Sequence, residues 1–175
     1  RHAHCFNRMW QYGRADDLGL IYRNIQNRDN ILFHLASHPN QAAVAKDPYG
    51  ACENIVGVTN KLAHFCAENK IRMVYVSSSM VYGDFREDID EDHPCNPIGQ
   101  YGIMKLAGEW LVKDYARHNI FNYTIIRPSA VYGPWDVDDR VTSKFIIAAL
   151  RNKDITVNGA SEKLDFTFVE DTALG

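Results

Sequence analysis

Short, mostly apolar runs alternate with amphipathic segments along the middle of the chain. The regular polar alternation of a half-exposed strand is missing from the runs at 31–35, 72–76 and 123–126. Such continuous apolar runs are typical of strands buried on both faces. Between these runs, apolar residues recur at spacings of three and four. This spacing predicts one helix that ends near Asn69 and a second from about Gly99 to His118.

The order strand, helix, strand, helix, strand predicts an α/β fold with a doubly wound parallel sheet and right-handed crossovers. Ligands bind such sheets beyond the carboxyl ends of the strands. Here those positions are 36–37, 77–79 and 128–130, where small or hydroxylated residues predominate. We therefore expect a ligand site along this edge.

The remaining segments are less regular. Turn residues at 47–50 predict a break in the chain, and the acidic, proline-containing stretch 84–100 predicts a surface loop. A third helical pattern covers about 143–152. Short extended segments follow near 155–157 and 166–169.

Composition narrows the class of protein. The 175 residues are 46% apolar, which suits one domain with a real core, and the net charge of −3 argues against a nucleic-acid surface. No apolar run is long enough to span a bilayer, and the first residues lack the apolar segment of a signal peptide. Four cysteines without a C-x-x-C pair indicate reduced thiols in a cytoplasmic protein: Cys5, Cys52, Cys66 and Cys95.

Metal binding is not predicted. His2 and His4 lie close together, but no cluster of histidines and carboxylates elsewhere supports a metal site. A mobile terminus is the simpler interpretation of this pair.

Tyr101 and Lys105 are four residues apart on the second predicted helix and therefore share one face. An ammonium group near a phenol stabilises the phenolate, so we expect Lys105 to lower the pKa of Tyr101. Such a tyrosine can exchange a proton with a carbon-bound oxygen. The spacing alone is weak, because most helices that contain both residue types show a solvated pair.

The surrounding motifs give the pair a context. The tract YVSSSMVYG at 75–83, followed by YGIMKLAGE at 101–109, resembles the extended short-chain dehydrogenase/reductase family, and within it the NAD-dependent epimerase/dehydratase branch that acts on sugar nucleotides. Further matches occur in the order that the family shows: HLA at 34–36, NIVGV at 54–58, RPSAVYGP at 127–134 and LDFTFVED at 164–171.

The resemblance implies a Rossmann-type fold and a catalytic set. Tyr101 would act as the acid/base on a sugar oxygen while hydride moves. Lys105 would bind the nicotinamide ribose, and Ser78 would hydrogen-bond the reacting oxygen.

The resemblance also implies NAD or NADP as the cofactor. For Ser77, and for Ser79 on the substrate side, capping of the strand end is the simpler alternative, and Tyr82 and Tyr132 are expected to be structural. The positions implied along the cofactor, besides Tyr101 and Lys105, are Leu35, Ala36, Ser37, Asn54, Val76, Ser77, Pro128 and Ser129.

The family's glycine-rich phosphate loop has no match in this chain. The segment 12–16 resembles the stretch that the family has after its third strand. The chain is therefore expected to be a fragment, with residues 1–135 forming a dinucleotide-binding domain without its first βαβ unit. Residues 136–175 would begin a substrate-binding region.

Several departures bear on the substrate, which the resemblance implies is a nucleotide-linked sugar. Ser79 and Met80 stand where family dehydratases carry an acidic pair, and a thioether cannot protonate a leaving hydroxyl, so dehydration is not expected. Ala130 and Leu164 replace an Asn and an Arg that often contact the substrate. The residues expected on the substrate side are Ser79, Met80, Ala130, Arg140 and Lys144, the last two as substitute anion contacts.

Three functions remain open at this point. The first is an epimerase whose NAD is reduced and re-oxidised within each turnover, and the second is a reductase that consumes NADPH at a 4-keto-sugar. The third is a protein that only binds or senses dinucleotide. The resemblance further implies a homodimer through the Tyr101 helix, with no nucleic-acid or membrane partner; burial within one subunit is the alternative for its apolar residues Ile103, Leu106, Trp110 and Leu111.

Overall fold

The computed structural model describes residues 14–15, 17–19, 21, 30–84, 88–119, 121–138, 140–157, 159 and 164–175. His2, His4 and Cys5 lie outside these residues, as does most of the segment 12–16. The fold and the site are those of this described part of the chain.

The three predicted strands form a parallel sheet in the order β1 (Ile31–His34), β2 (Arg72–Val76) and β3 (Tyr123–Ile126). Leu32 pairs with Met73, and Val76 pairs with Ile126, so the carboxyl ends of the strands meet at one edge. The predicted α/β class with a parallel sheet is confirmed.

A nearly continuous helical segment links β1 to β2. It contains α1 (Gln41–Lys46), α2 (Pro48–Cys52), a π-helical turn (Glu53–Gly57) and α3 (Val58–Asn69). The predicted end at Asn69 is confirmed, and the next residue, Lys70, has a left-handed φ of 54° that closes the helix.

The break predicted at 47–50 is only partly right, because α2 starts inside it. The side chain of Asp47 accepts a hydrogen bond from the backbone N–H of Gly50 at 3.0 Å. Pro48 occupies the first helical turn, where its missing N–H costs nothing. The same residues that suggested a turn therefore end α1 and begin α2.

The second half of the chain contains α4 (Gln100–Asn119), α5 (Val141–Leu150) and α6 (Val169–Leu174). The helix predicted for about 99–118 is α4, and the helix predicted at 143–152 is α5, displaced by two residues. The short strands β4 (Ala130–Tyr132) and β5 (Phe166–Phe168) pair in parallel as a second sheet. No strand forms at 155–157, where an extended segment was expected.

The core lies between the sheet and the pair α3 and α4. Leu62 and Cys66 of α3, Met73 and Tyr75 of β2, and Val112 of α4 belong to one buried cluster. Each is at most 2% exposed. This packing fixes α4 against β2 and so determines where the carboxyl end of β2 meets the helix.

Gly108 provides a test of this packing. A Cβ at Gly108 would collide with the ring and hydroxyl of Tyr75, whereas one at Gly57 would meet nothing within 4 Å. We expect Gly108→Ala to lower the free energy of unfolding by about 1–3 kcal/mol through overpacking. Gly57→Ala should raise it by about 0.5 kcal/mol by restricting the unfolded chain. Equal urea midpoints for the two variants would contradict this packing.

Candidate active site

The turn that follows β2 carries the first predicted catalytic residue. The backbone N–H of Ser77 donates to the carbonyl of Ile126 at 2.7 Å and continues the pairing with β3. Ser78 has an extended backbone, and its Oγ accepts from the N–H of Met80 at 3.2 Å, which begins a 3₁₀ turn at Ser79–Tyr82. Ser78 therefore caps this turn, whereas the hydroxyl of Ser77, for which capping was expected, donates to Glu109 instead.

Helix α4 begins directly beside this turn. A Cβ at Gly102 would meet the carbonyl oxygen of Met80 and the side chain of Pro97, so a glycine permits the close approach. The backbone N–H of Tyr101 donates to Oε1 of Gln41 at 2.9 Å, which satisfies one of the free donors of the first turn. These contacts place Tyr101 next to Ser78.

Lys105 lies one turn further along α4 and is only 3% exposed. Its Nζ donates to the carbonyl oxygen of Val76 at 2.8 Å and lies 5.3 Å from the ring centroid of Tyr75. Burial lowers the pKa of Lys105 to about 8, because a charged ammonium loses hydration there. The ammonium group is thus fixed at the carboxyl end of β2.

Tyr101 is affected by several groups of the site at once. Burial raises its pKa, while hydrogen bonding by Ser78 and the positive charge of Arg140 act in the opposite direction. The expected lowering by Lys105 is wrong here, since its Nζ is 5.9 Å from the Tyr101 ring centroid and is bonded to a backbone carbonyl. The structure nevertheless brings Ser78, Tyr101 and Lys105 to one edge, with Arg140 nearby.

A second group of predicted residues lines a pocket at the end of β1. The pocket has a volume of about 540 Å³, and Ala36, Ser37 and Asn54 form part of its wall. Asn54 lies in the π-helical turn, and such turns often occur at functional sites. Leu35, by contrast, is 65% exposed.

The other predicted cofactor residues lie beside the Ser78 turn. Val76 accepts the hydrogen bond from Lys105, and the carbonyl of Pro128 accepts from the N–H of Ser79 at 3.0 Å. Ser129 follows Pro128 on the connection from β3 to β4. The predicted cofactor positions therefore extend along the carboxyl ends of all three strands of the first sheet.

His34, the last residue of β1, is bonded through Thr59 to the π-helical turn of the pocket and is also affected by the charge of Lys105. The sequence identified it only as part of the HLA motif. Its Nε2 lies 2.9 Å from Oγ1 of Thr59, whose hydroxyl donates to the carbonyl of Ile55 in the π-helical turn. Because that hydroxyl proton is used, His34 is the donor and carries its proton on Nε2. Burial and the nearby charge of Lys105 lower the pKa of His34 to about 4, so the ring is neutral.

The residues expected on the substrate side are more dispersed. Met80 is 40% exposed, and Ser79 starts the 3₁₀ turn beside it. Arg140 is near Tyr101 and lies 3.9 Å through Nε from a carboxylate oxygen of Asp136. Lys144 is exposed on the following turn.

Ala130 and Leu164 stand where members of the family often have an Asn and an Arg that contact the substrate. The backbone N–H of Ala130 donates to the carbonyl of Asp165 at 3.0 Å and joins the two strands of the second sheet. Leu164 is 56% exposed. Its neighbour Lys163 lies outside the described residues.

Sequence reasoning missed a buried ion pair beside the site. Glu109 is fully buried, and its carboxylate accepts from Nε and Nη2 of Arg127 at 2.9 and 2.7 Å and from Oγ of Ser77 at 2.6 Å. A signal was present, because Glu109 repeats the spacing of four that joins Tyr101 to Lys105. A carboxylate on a core-facing position requires a partner.

Two other kinds of feature are absent from the described residues. No group of three or more His, Cys, Asp or Glu residues there could hold a metal ion. No helix among them is both long enough and apolar enough to cross a membrane.

Fold and site together define a Rossmann-type α/β protein that carries the hydroxyl, phenol and ammonium groups of the short-chain dehydrogenase/reductase class. A sequence model of the NAD dependent epimerase/dehydratase family matches residues 11–175, so the chain belongs to this family. The resemblance found in the sequence is thereby confirmed.

Named relatives agree with this assignment. The chain is 31% identical to an uncharacterized UDP-glucose epimerase, YtcB, of Bacillus subtilis, over 83% of this chain and 47% of the relative. It is 27% identical to a dTDP-D-glucose 4,6-dehydratase of Dictyostelium discoideum, over 81% and 36%. A solved UDP-glucuronic acid 4-epimerase of Bacillus cereus, in complex with UDP-glucuronic acid and NAD, superposes with a TM-score of 0.77 at 30% identity, over 89% of this chain and 49% of that one.

The chain therefore spans about half the length of these relatives at most. The family assignment refers to the part of the fold present here.

The neutral state of buried His34 predicts a pH effect on stability. Folded His34 binds a proton only below about pH 4, whereas the unfolded residue binds one below its ordinary pKa of 6.5. The stability from neutral His34 is therefore complete above pH 6.5 and is lost as the pH falls toward 4, by up to about 3 kcal/mol. His34→Gln keeps an amide donor for Thr59 without titrating. Unfolding measured from about pH 7 to 4.5 should show a steeper loss in the parent, and parallel curves would refute the buried neutral state.

Proposed function

We propose that the chain is the catalytic part of an NAD(P)-dependent enzyme that acts on a nucleotide-linked sugar by hydride transfer. The observation that carries the proposal is the convergence of Ser78, Tyr101 and Lys105 at the carboxyl edge of the sheet. Hydroxyl, phenol and ammonium groups at one ligand-binding edge suit the oxidation of an alcohol or the reduction of a carbonyl.

Each residue has a role that follows from its surroundings. Once deprotonated, Tyr101 takes the proton from the sugar hydroxyl as the carbon loses hydride, and the resulting phenol returns the proton in the reverse direction. Ser78 interacts with the phenol and can hydrogen-bond the same sugar oxygen. Lys105 holds its ammonium at the carboxyl end of β2, 5.9 Å from the centre of the Tyr101 ring, where it can hydrogen-bond the ribose of the dinucleotide.

The residues present fit a dinucleotide. Ala36 and Ser37 are small and line a pocket of about 540 Å³ together with the amide of Asn54, so a flat, polar ligand can approach the sheet edge closely. Lys105 and the Pro128–Ser129 connection border the adjoining position beside Ser78. When bound, the dinucleotide would accept or supply the hydride. The choice between NAD and NADP is left open by these residues.

One observation supports a nucleotide sugar as the substrate, and another argues against its dehydration. Family relatives are named for UDP- and dTDP-sugars. The half-exposed thioether of Met80 lies beside the site and cannot donate a proton to a leaving hydroxyl. Epimerisation at the carbon that loses hydride is therefore the favoured reaction.

One observation favours reduction as a second candidate. Burial raises the pKa of Tyr101 and so favours the protonated phenol, which is the form that donates to a carbonyl oxygen. An epimerase needs no added dinucleotide for sustained turnover and gives no net change in nicotinamide absorbance. A 4-keto-sugar reductase oxidises one equivalent of NADPH for each product, so this stoichiometry in the complete protein separates the two.

Replacing the phenol tests the catalytic assignment. We expect Tyr101→Phe in the complete protein to lower kcat by about a hundredfold or more, because the proton acceptor is removed. Tyr123→Phe is the matched control, since Tyr123 lies at the opposite end of the sheet and should retain the parent rate. Full turnover in Tyr101→Phe would refute the assignment and favour a protein that only binds or senses dinucleotide.

Assembly, domain limits and location belong to the same proposal. On α4, Ile103 and Trp110 are 53% and 59% exposed, which suits a homodimer through this helix.

Residues 1–135 and 136–175 are proposed as dinucleotide-binding and substrate-binding regions. The reduced thiols Cys52, Cys66 and Cys95 suit a cytoplasmic location.

The helix face provides a test of assembly. Ile103→Glu would place a charge in the proposed interface, so the complete protein should sediment as a monomer. Val137→Glu is the control, because Val137 is 60% exposed but lies outside α4. Identical sedimentation of Ile103→Glu and the parent would exclude this interface.

A further inference from the structure

The buried ion pair of Glu109 and Arg127 has a geometry that core packing alone does not require. Glu109 projects from the same face of α4 as Tyr101 and Lys105, and its carboxylate is fully buried. Arg127 follows β3 and binds this carboxylate through two nitrogens. A buried pair of this kind contributes little net stability compared with apolar residues of similar size, because both charges must be dehydrated.

The pair joins two contacts that hold the Ser78 turn from opposite sides. On the helix side, the hydroxyl of Ser77 donates to Glu109 at 2.6 Å. On the strand side, the N–H of Ser79 donates to the carbonyl of Pro128 at 3.0 Å, and Pro128 is the residue after Arg127. The ion pair thus closes a ring of contacts around Ser78.

Arg127 also reaches the segments beyond the turn. Its Nη1 donates to the hydroxyl of Tyr82 at 2.8 Å and to the backbone carbonyl of Glu91 at 3.0 Å. Its guanidinium lies 4.8 Å from the centre of the Tyr82 ring. The end of the 3₁₀ turn that starts after Ser78 is therefore bonded to the same arginine.

We propose that Glu109 and Arg127 are positioning residues that fix the hydroxyl of Ser78 against Tyr101 by clamping the 77–79 turn. Neither residue exchanges a proton with the substrate. This proposal rests on the proposed function for its effect on turnover, while the clamp itself is a property of the folded chain.

The decisive variant is the double substitution Glu109→Met/Arg127→Met in the complete protein. Replacing both charges avoids an unpaired buried charge, so the protein should keep an unfolding midpoint close to that of the parent. The clamp is absent, and we expect amide hydrogens of Ser79 and Met80 to exchange at least about tenfold faster. The amide of Val74 in the middle of β2 should keep its protection.

Turnover supplies the second readout. We expect kcat of the double variant to fall about tenfold or more with a smaller change in KM, because misplacement of a reacting group affects the transition state most. Ser77→Ala removes only the helix-side contact and should give an intermediate effect. The control is Arg72→Met. Arg72 is exposed, lies at the opposite end of β2 from the site, and donates to Oγ1 of Thr124 at 3.1 Å.

The two readouts separate the possible failures. Unchanged exchange at Ser79 and Met80 would overturn the clamp, and faster exchange combined with the parent kcat would overturn the positioning role. If the complete parent protein shows no turnover of nucleotide sugars, the proposed function fails, and the exchange comparison still decides the clamp.

Discussion

The site depends on the contact between α4 and the carboxyl end of β2. At this contact an almost fully buried ammonium, that of Lys105, donates to the last carbonyl of the strand at 2.8 Å. One turn further along the helix, the carboxylate of Glu109 accepts a hydrogen bond from the hydroxyl of Ser77, the residue that directly follows β2. The position of Tyr101 relative to Ser78 follows from these two bonds, because all three helix residues share one face.

The apolar core makes this polar contact possible. Tyr75 and Val112 pack in the cluster between the sheet and the helices, and Gly108 allows α4 to approach Tyr75 closely. Apolar burial supplies the stabilisation that compensates for dehydrating the charged groups at the edge. The same burial lowers the pKa of His34, which keeps its ring neutral, and raises the pKa of Tyr101.

Sequence reasoning succeeded where a pattern is local and failed where a partner is distant. The strands and α4 were predicted correctly, since their periodicity and length are strong signals. The short strand β4 was missed, although β5, which is equally short, falls within the extended segment predicted near 166–169. The sequence did not predict that Ser78 makes the cap, and it predicted a lowered pKa for Tyr101 where burial raises it. Both properties depend on which groups the fold places beside these residues. The ion pair of Glu109 with Arg127 was missed for the same reason.

By itself, the sequence determined the α/β class, the family and the identity of Ser78, Tyr101 and Lys105 as the residues to examine. It could do so because ordered motifs and helical spacing are written along the chain. Only the tertiary structure decided that Lys105 bonds the end of β2, that His34 is neutral and that Glu109 joins Arg127 to Ser77. Burial and hydrogen-bond partners are contributed by segments far apart in sequence, and no local pattern specifies which of them meet.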